Sequence, residues 1–261
     1  MKGDDDEPVE SCQRGSCSTS SPQESQGVRH HCLLFQIRHQ ATRAVYGPQD
    51  IKTPPMESFW FHLHPIHTPA DRHKGWYLCL MAPNTKGPKF AWLDPSRLYC
   101  NSQALADCVK DLLSPFHSDT IDLVAGIDAM GFILGASIAS TLGKGFLAVR
   151  KAGHLCVPTQ NQNYKDYTGR EKTMEVRLDA LRPGMRVLLV DQWIETGGTM
   201  KAAIQLVEKL GATVVGVAAV AIENTEGGKW IKENYKFSHC IPEELQSQID
   251  QKYLDLFKGF N

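Results

Sequence analysis

Between Arg186 and Met200 an apolar run, Val187-Leu188-Leu189-Val190, ends on an acid, Asp191. A small turn rich in hydroxyls and glycine follows, Thr196-Gly197-Gly198-Thr199, and an amphipathic segment begins behind it. Glycine lets the backbone take positive φ and come close to a ligand. Free N–H groups at a helix start point at an anion. A carboxylate at a strand end can hold ribose hydroxyls or belong to the shell of a Mg²⁺ ion. Together these residues are suited to gripping a sugar phosphate. A capping threonine in an ordinary loop would give the same four letters, but the placement directly after Val-Leu-Leu-Val-Asp favours the cradle. No Gly-Lys-Ser/Thr occurs, which argues against an NTPase loop.

The elements around this turn alternate. Gln103 to Leu113 has helical spacing at Leu105, Val109 and Leu112. Ile121 to Ala125 reads as a short buried strand, and Gly131 to Leu142 as an apolar helix. Gly145 to Val149 is a strand; after a polar stretch come strand Arg186 to Val190, helix Met200 to Leu210 and strand Thr213 to Ile222. Such alternation predicts an α/β fold, a mainly parallel central sheet flanked by helices. Ligands then bind at the carboxyl ends of strands. Asp191 and Asp128 both stand at such ends. Ahead of this lie Cys32 to Ile37, Phe59 to His64 and Trp76 to Met81, which look like strands separated by Pro and Gly turns. The expected organisation is a disordered acidic and Ser-rich tail at 1–27, a β-rich N-terminal extension at 28–100, and a main domain at 101–261.

The chain has 261 residues and a formal net charge of −1. That charge gives no electrostatic case for nucleic acid or an anionic membrane. No apolar run approaches the roughly 18 residues of a membrane span. The start is acidic (Asp4, Asp5, Asp6, Glu7), unlike a basic-then-apolar signal peptide. The eight cysteines form no Cys-x-x-Cys pair, so reduced thiols in a cytoplasmic protein are expected. His62 and His64 share one strand face and could chelate zinc, but no nearby Cys or carboxylate completes a set. Edge-strand histidines are the simpler reading.

The segment around Asp191 resembles the phosphoribosyl-pyrophosphate (PRPP) motif of type I phosphoribosyltransferases, and most closely that of adenine phosphoribosyltransferases. Other blocks carry the resemblance in order. Asp122 to Phe132 is similar to the family's pyrophosphate loop and the helix behind it. Arg150 to His154 and Pro158-Thr159 resemble the next strand and loop. Asp166-Tyr167 falls where the family has an acid and a tyrosine in a mobile loop, and Leu178 to Gly184 leads into the PRPP strand. The resemblance implies displacement of pyrophosphate from C1 of ribose by a purine nitrogen, adenine giving AMP in purine salvage. It implies Mg²⁺ with the PRPP, held by Asp191 only indirectly through the substrate, and a homodimer. Asp191, Glu195, Asp166 and Tyr167 would be catalytic. Asp191, Gln192, Glu195, Thr196, Gly197, Gly198 and Thr199 would meet PRPP at one end. Asp128, Ala129, Met130, Gly131, Arg150 and Lys151 would meet it at the other. Ala91, Leu93 and Ile127 would face the base.

The departures from the family pattern bear on chemistry. The second of two usual acids is Gln192, which supplies no charge to a cation-like transition state. Met130 stands where the family has Arg, leaving backbone N–H groups to meet the anion. Leu93 stands where adenine enzymes tend to have Arg. Glu195 replaces a small residue; three readings stand, that it restores the lost charge, alters the choice of base, or points to solvent. Two functions follow: a working transferase, or a catalytically weak relative that binds PRPP or a nucleotide as a sensor or interaction protein.

Overall fold

The computed structural model describes residues 68–83, 93–166 and 169–249. A seven-stranded sheet runs in the order β5-β6-β4-β3-β7-β8-β9. Its strands are β3 (Leu123–Ile127), β4 (Gly145–Lys151), β5 (Thr159–Lys165), β6 (Glu171–Arg177), β7 (Arg186–Ile194), β8 (Thr213–Ile222) and β9 (Phe237–His239). Strands β4, β3, β7, β8 and β9 are parallel. The short pair β1 (Ala82–Pro83) and β2 (Leu93–Asp94) stands apart. The helices are α1 (Ser96–Tyr99), α2 (Ser102–Leu113), α3 (Met130–Leu142), α4 (Gly198–Lys209), α5 (Glu226–Asn234) and α6 (Glu243–Ile249).

Helices cover both faces of the sheet. One apolar cluster joins α2 and α3 to Leu188, Val190 and Val220 of the strands. The other packs α4 residues Ile204, Leu206 and Val207 on Val187, Leu189 and Val217. The alternation of buried sides along β7 explains why Val187 to Val190 is apolar throughout: both faces are covered. The chain leaves β3 toward β4 on one side and returns with β7 on the other. The crevice at the carboxyl ends of β3 and β7 is therefore the topological switch point, where such sheets bind ligands. Among the described residues no helix is long and apolar enough to cross a membrane.

Three expectations change. Trp76–Leu80 is a 3₁₀ helix, not a strand. It packs into the same core as α2. Its polar groups are satisfied from α2 rather than from a sheet: Asp107 accepts from Trp76 Nε1 at 2.8 Å, and Asp111 accepts from Tyr77 Oη at 2.9 Å. The polar stretch before Arg186 contains an antiparallel pair, β5 and β6, joined over seven residue pairs. Finally, β7 runs on to Ile194, so Asp191 and Gln192 lie within the strand. The expected tail at 1–27 and the strands at Cys32 to Ile37 and Phe59 to His64 lie outside the described residues.

Candidate active site

Asp191 occupies the centre of the crevice. Helix α3 begins against it: a Cβ on Gly131 would lie 2.7 Å from the Val190 carbonyl oxygen and 3.1 Å from the Asp191 Cα. Only glycine permits that approach. Burial pushes the Asp191 carboxyl up to about 7, although the backbone N–H of Gln192 donates to it at 2.7 Å and works the other way. A half-buried carboxylate whose charge is disfavoured in this way gains when ligand hydroxyls donate to it.

The two helices that start at the crevice are uncapped. Neither α3 nor α4 has a side chain bonded to its first-turn N–H groups. Of the other helices, α2 and α5 are capped by Asn101 and Thr225, which accept from Ala104 N and Gly228 N, while α1 has no side-chain cap from Pro95. An uncapped first turn leaves orphan N–H donors and a positive dipole end, which together suit an anion. The α4 turn is held from behind. Gly197 takes φ 77°, and a Cβ there would lie 2.8 Å from the Gly227 backbone. Thr225 Oγ1 donates to the Glu195 carbonyl at 2.6 Å. Thr196 is exposed, while Gly198 and Thr199 are half-buried.

The other half of the crevice lies at the end of β3. Asp128 donates its N–H to the Val149 carbonyl at 3.0 Å, and its peptide bond to Ala129 is cis. Arg150 Nε lies 3.5 Å from the Asp128 carboxylate. Arg150 also donates to the His154 carbonyl at 3.3 Å. Lys151 is exposed at the end of β4, and Met130 is half-buried at the first position of α3. The turn after β4 is ordered by a residue the sequence reading passed over. Glu175 is 4% exposed and accepts from the N–H groups of His154 and Leu155, both at 2.8 Å. Burial works against its charge, but those N–H donors win and hold the carboxyl below its usual range.

Asp166 sits at the tip of the β5–β6 pair and is 9% exposed. It pairs with Lys172 at 2.5 Å and accepts from Arg170 N at 3.2 Å. It is therefore a tied acid rather than one in an open loop. The tip nonetheless packs against the α4 turn, because a Cβ on Gly198 would collide with the Lys165 carbonyl. Glu195 is half-buried, which raises its carboxyl. Ile127 is 4% exposed and packed in the core. Tyr167 and Ala91 lie outside the described residues; Leu93 is described by its place in β2 alone.

A second acid was legible and missed. Val220-Ala221-Ile222-Glu223 repeats the pattern of an apolar run closing on a carboxylate. Glu223 is 1% exposed and accepts from Trp193 Nε1 at 2.7 Å, tying the end of β8 to the end of β7.

The family profile of the phosphoribosyl transferase domain matches residues 99–255, which contain every strand of the large sheet. The chain belongs to the type I phosphoribosyltransferase family. It is 46% identical to the adenine phosphoribosyltransferase of Jannaschia sp. over 136 residues, 52% of this chain and 75% of that relative. Among solved structures it is similar to adenine phosphoribosyltransferase from Rhodothermus marinus: TM-score 0.55 and 34% identity, covering 61% of this chain and 91% of the other. It is also similar to the Giardia lamblia enzyme complexed with 9-deazaadenine: TM-score 0.56 and 30% identity, covering 61% and 90%. In this family member the β3–α3 junction lies against Asp191, and the α4 turn follows it directly at the end of β7.

Proposed function

We propose that the protein transfers the ribose 5-phosphate of PRPP to a purine base, adenine giving AMP, with release of pyrophosphate. The observation that carries this reading is the pair of uncapped helix starts, α3 and α4, on either side of Asp191. Two anion-binding ends flanking a hydroxyl-binding acid match a sugar bearing a phosphate at one end and a pyrophosphate at the other. The likeness to adenine phosphoribosyltransferases supports the choice of base.

In this reading the N–H groups of Gly198, Thr199 and Met200 hold the 5-phosphate. Those of Ala129 to Gly131, with Arg150 and Lys151, meet the pyrophosphate. Asp191 accepts from the ribose hydroxyls and places negative charge beside a cation-like sugar. Among the described residues no cluster of three His, Cys, Asp or Glu stands ready to hold a metal alone. The donor set therefore fits a Mg²⁺ bound chiefly through PRPP oxygens, with Asp191 beside it; when bound, the ion neutralises the departing pyrophosphate. Catalysis is then mostly positioning, with Glu195 as the additional acid of the turn. Asp166 anchors the β5–β6 tip over α4, and Tyr167 follows it in the chain.

The proposal includes a homodimer and a cytoplasmic location. Exposed Ile133 of α3 and Phe146 of β4 offer apolar surface for a second copy. A second reading, PRPP binding without turnover, is favoured by Gln192 and Met130, which remove a charge at each end of the substrate. Purified protein with Mg²⁺, PRPP and labelled adenine decides between them. AMP formation supports transfer. No AMP, with PRPP binding retained in calorimetry, selects the second reading. No binding overturns both.

A further inference from the structure

Tyr99 is the last residue of α1, and its side chain is half-buried against the α2 and α3 core. Its hydroxyl donates to Gln192 Oε1 at 2.7 Å, across 93 residues of sequence. Leu98, fully buried beside it, fixes the short helix in place. An amide has two unlike ends. With Oε1 turned to Tyr99, the end left for a ligand is Nε2, which has no acceptor among the described residues. Asp191, the neighbour on β7, is acceptor-only once ionised.

We propose that Tyr99 is a positioning residue that orients Gln192 as a hydrogen-bond donor to the sugar of PRPP. The pair Asp191–Gln192 then presents one acceptor and one donor to adjacent hydroxyls, in place of two carboxylates. A ribose hydroxyl can satisfy both, donating to Asp191 and accepting from Gln192. The phenol is well placed for a permanent donor role: burial, with the nearby Cys108 and Asp191, pushes its ionisation far above the neutral range. The neutral amide also avoids setting a second carboxylate beside one that burial already disfavours.

This inference rests on the PRPP reading of the site, and the test separates the two. Calorimetry with Mg²⁺ and PRPP is run on the wild type, Tyr99→Phe, Gln192→Leu and the double variant. Tyr99→Phe should weaken binding about 3–10-fold, the net effect of one hydrogen bond. In the Gln192→Leu background the same change should have no further effect on affinity. A purely structural Tyr99 would lower melting temperature in both backgrounds without this coupling in affinity. Unchanged affinity in Tyr99→Phe, or an equal loss in both backgrounds, overturns the proposal while leaving the PRPP reading intact. A wild type that binds no PRPP overturns both.

Discussion

Asp191 is an acid whose surroundings disfavour its charge, and this makes its behaviour with pH informative. Its folded value of about 7 lies above the ordinary value of about 4 in an unfolded chain. Below about pH 4 both states carry the proton and the residue is neutral to stability. Between about 4 and 7 the unfolded chain ionises first, so stability falls as pH rises; above about 7 the cost is complete. Asp191→Asn should therefore raise the melting temperature at pH 8 by at least about 2 °C more than at pH 4.5. Equal gains at both values, followed by circular dichroism, would show that the acid does not titrate in this window. PRPP affinity of the variant should fall by about tenfold or more, since an amide replaces an ionised acceptor. Asp191, Gln192 and the turn at 196–199 were legible because acid, glycine and hydroxyl follow an apolar run at close spacing. The Tyr99 bond to Gln192 was not, because 93 residues separate the partners and no local pattern links them. Glu175 was hidden for the same reason: its partners are N–H groups 20 and 21 residues away.

At the scale of elements, the contact between α3 and β7 decides whether the crevice exists. Gly131→Ala would force a methyl group against the Val190 carbonyl and the Asp191 backbone. Moving α3 off the strand should cost about 1–3 kcal/mol, read as a lower urea midpoint. It should also weaken PRPP binding, because both the α3 N–H groups and Asp191 shift. Retained stability and affinity would mean the helix start is not seated as described. Strands β3, β4, β7 and β8 and helices α2, α3 and α4 were readable because burial on two faces leaves long apolar runs, and burial on one face leaves a 3.6-residue period; β6, β9, α1, α5 and α6 were not read. Strand β5 escaped because Thr159-Gln160-Asn161-Gln162-Asn163 carries no apolar alternation; it is held by pairing with β6 and by its place beside α4. Trp76 to Met81 misled in the opposite way. An apolar run fits a strand or a buried turn equally, and the partners that settle it, Asp107 and Asp111, lie about three tens of residues onward.

For the whole molecule, the segment before α1 is bound to the main domain through α2. Asp111 accepts from both the Gly75 N–H, at 3.2 Å, and the Tyr77 hydroxyl. Asp111→Ala leaves a buried phenol without its acceptor and should cost about 2–3 kcal/mol. That corresponds to a fall in melting temperature of about 4–10 °C for a domain of this size. A change below about 1 °C in scanning calorimetry would mean that the segment contributes little to the folded state. The core on this side also reaches far along the chain. It combines Trp76, Tyr77 and Leu78 with Cys240, Ile241, Leu245 and Ile249, and Cys108 and Cys240 lie 3.6 Å apart within it. Among the described residues the opposite core draws its buried side chains from Ala125 to Ile231, with Tyr235 and Phe237 packed against it. During synthesis on a ribosome, then, the α4 side of the sheet can close while the last turns are still in the exit tunnel. The Tyr99 side must wait, with its apolar residues uncovered, until Ile249 has emerged.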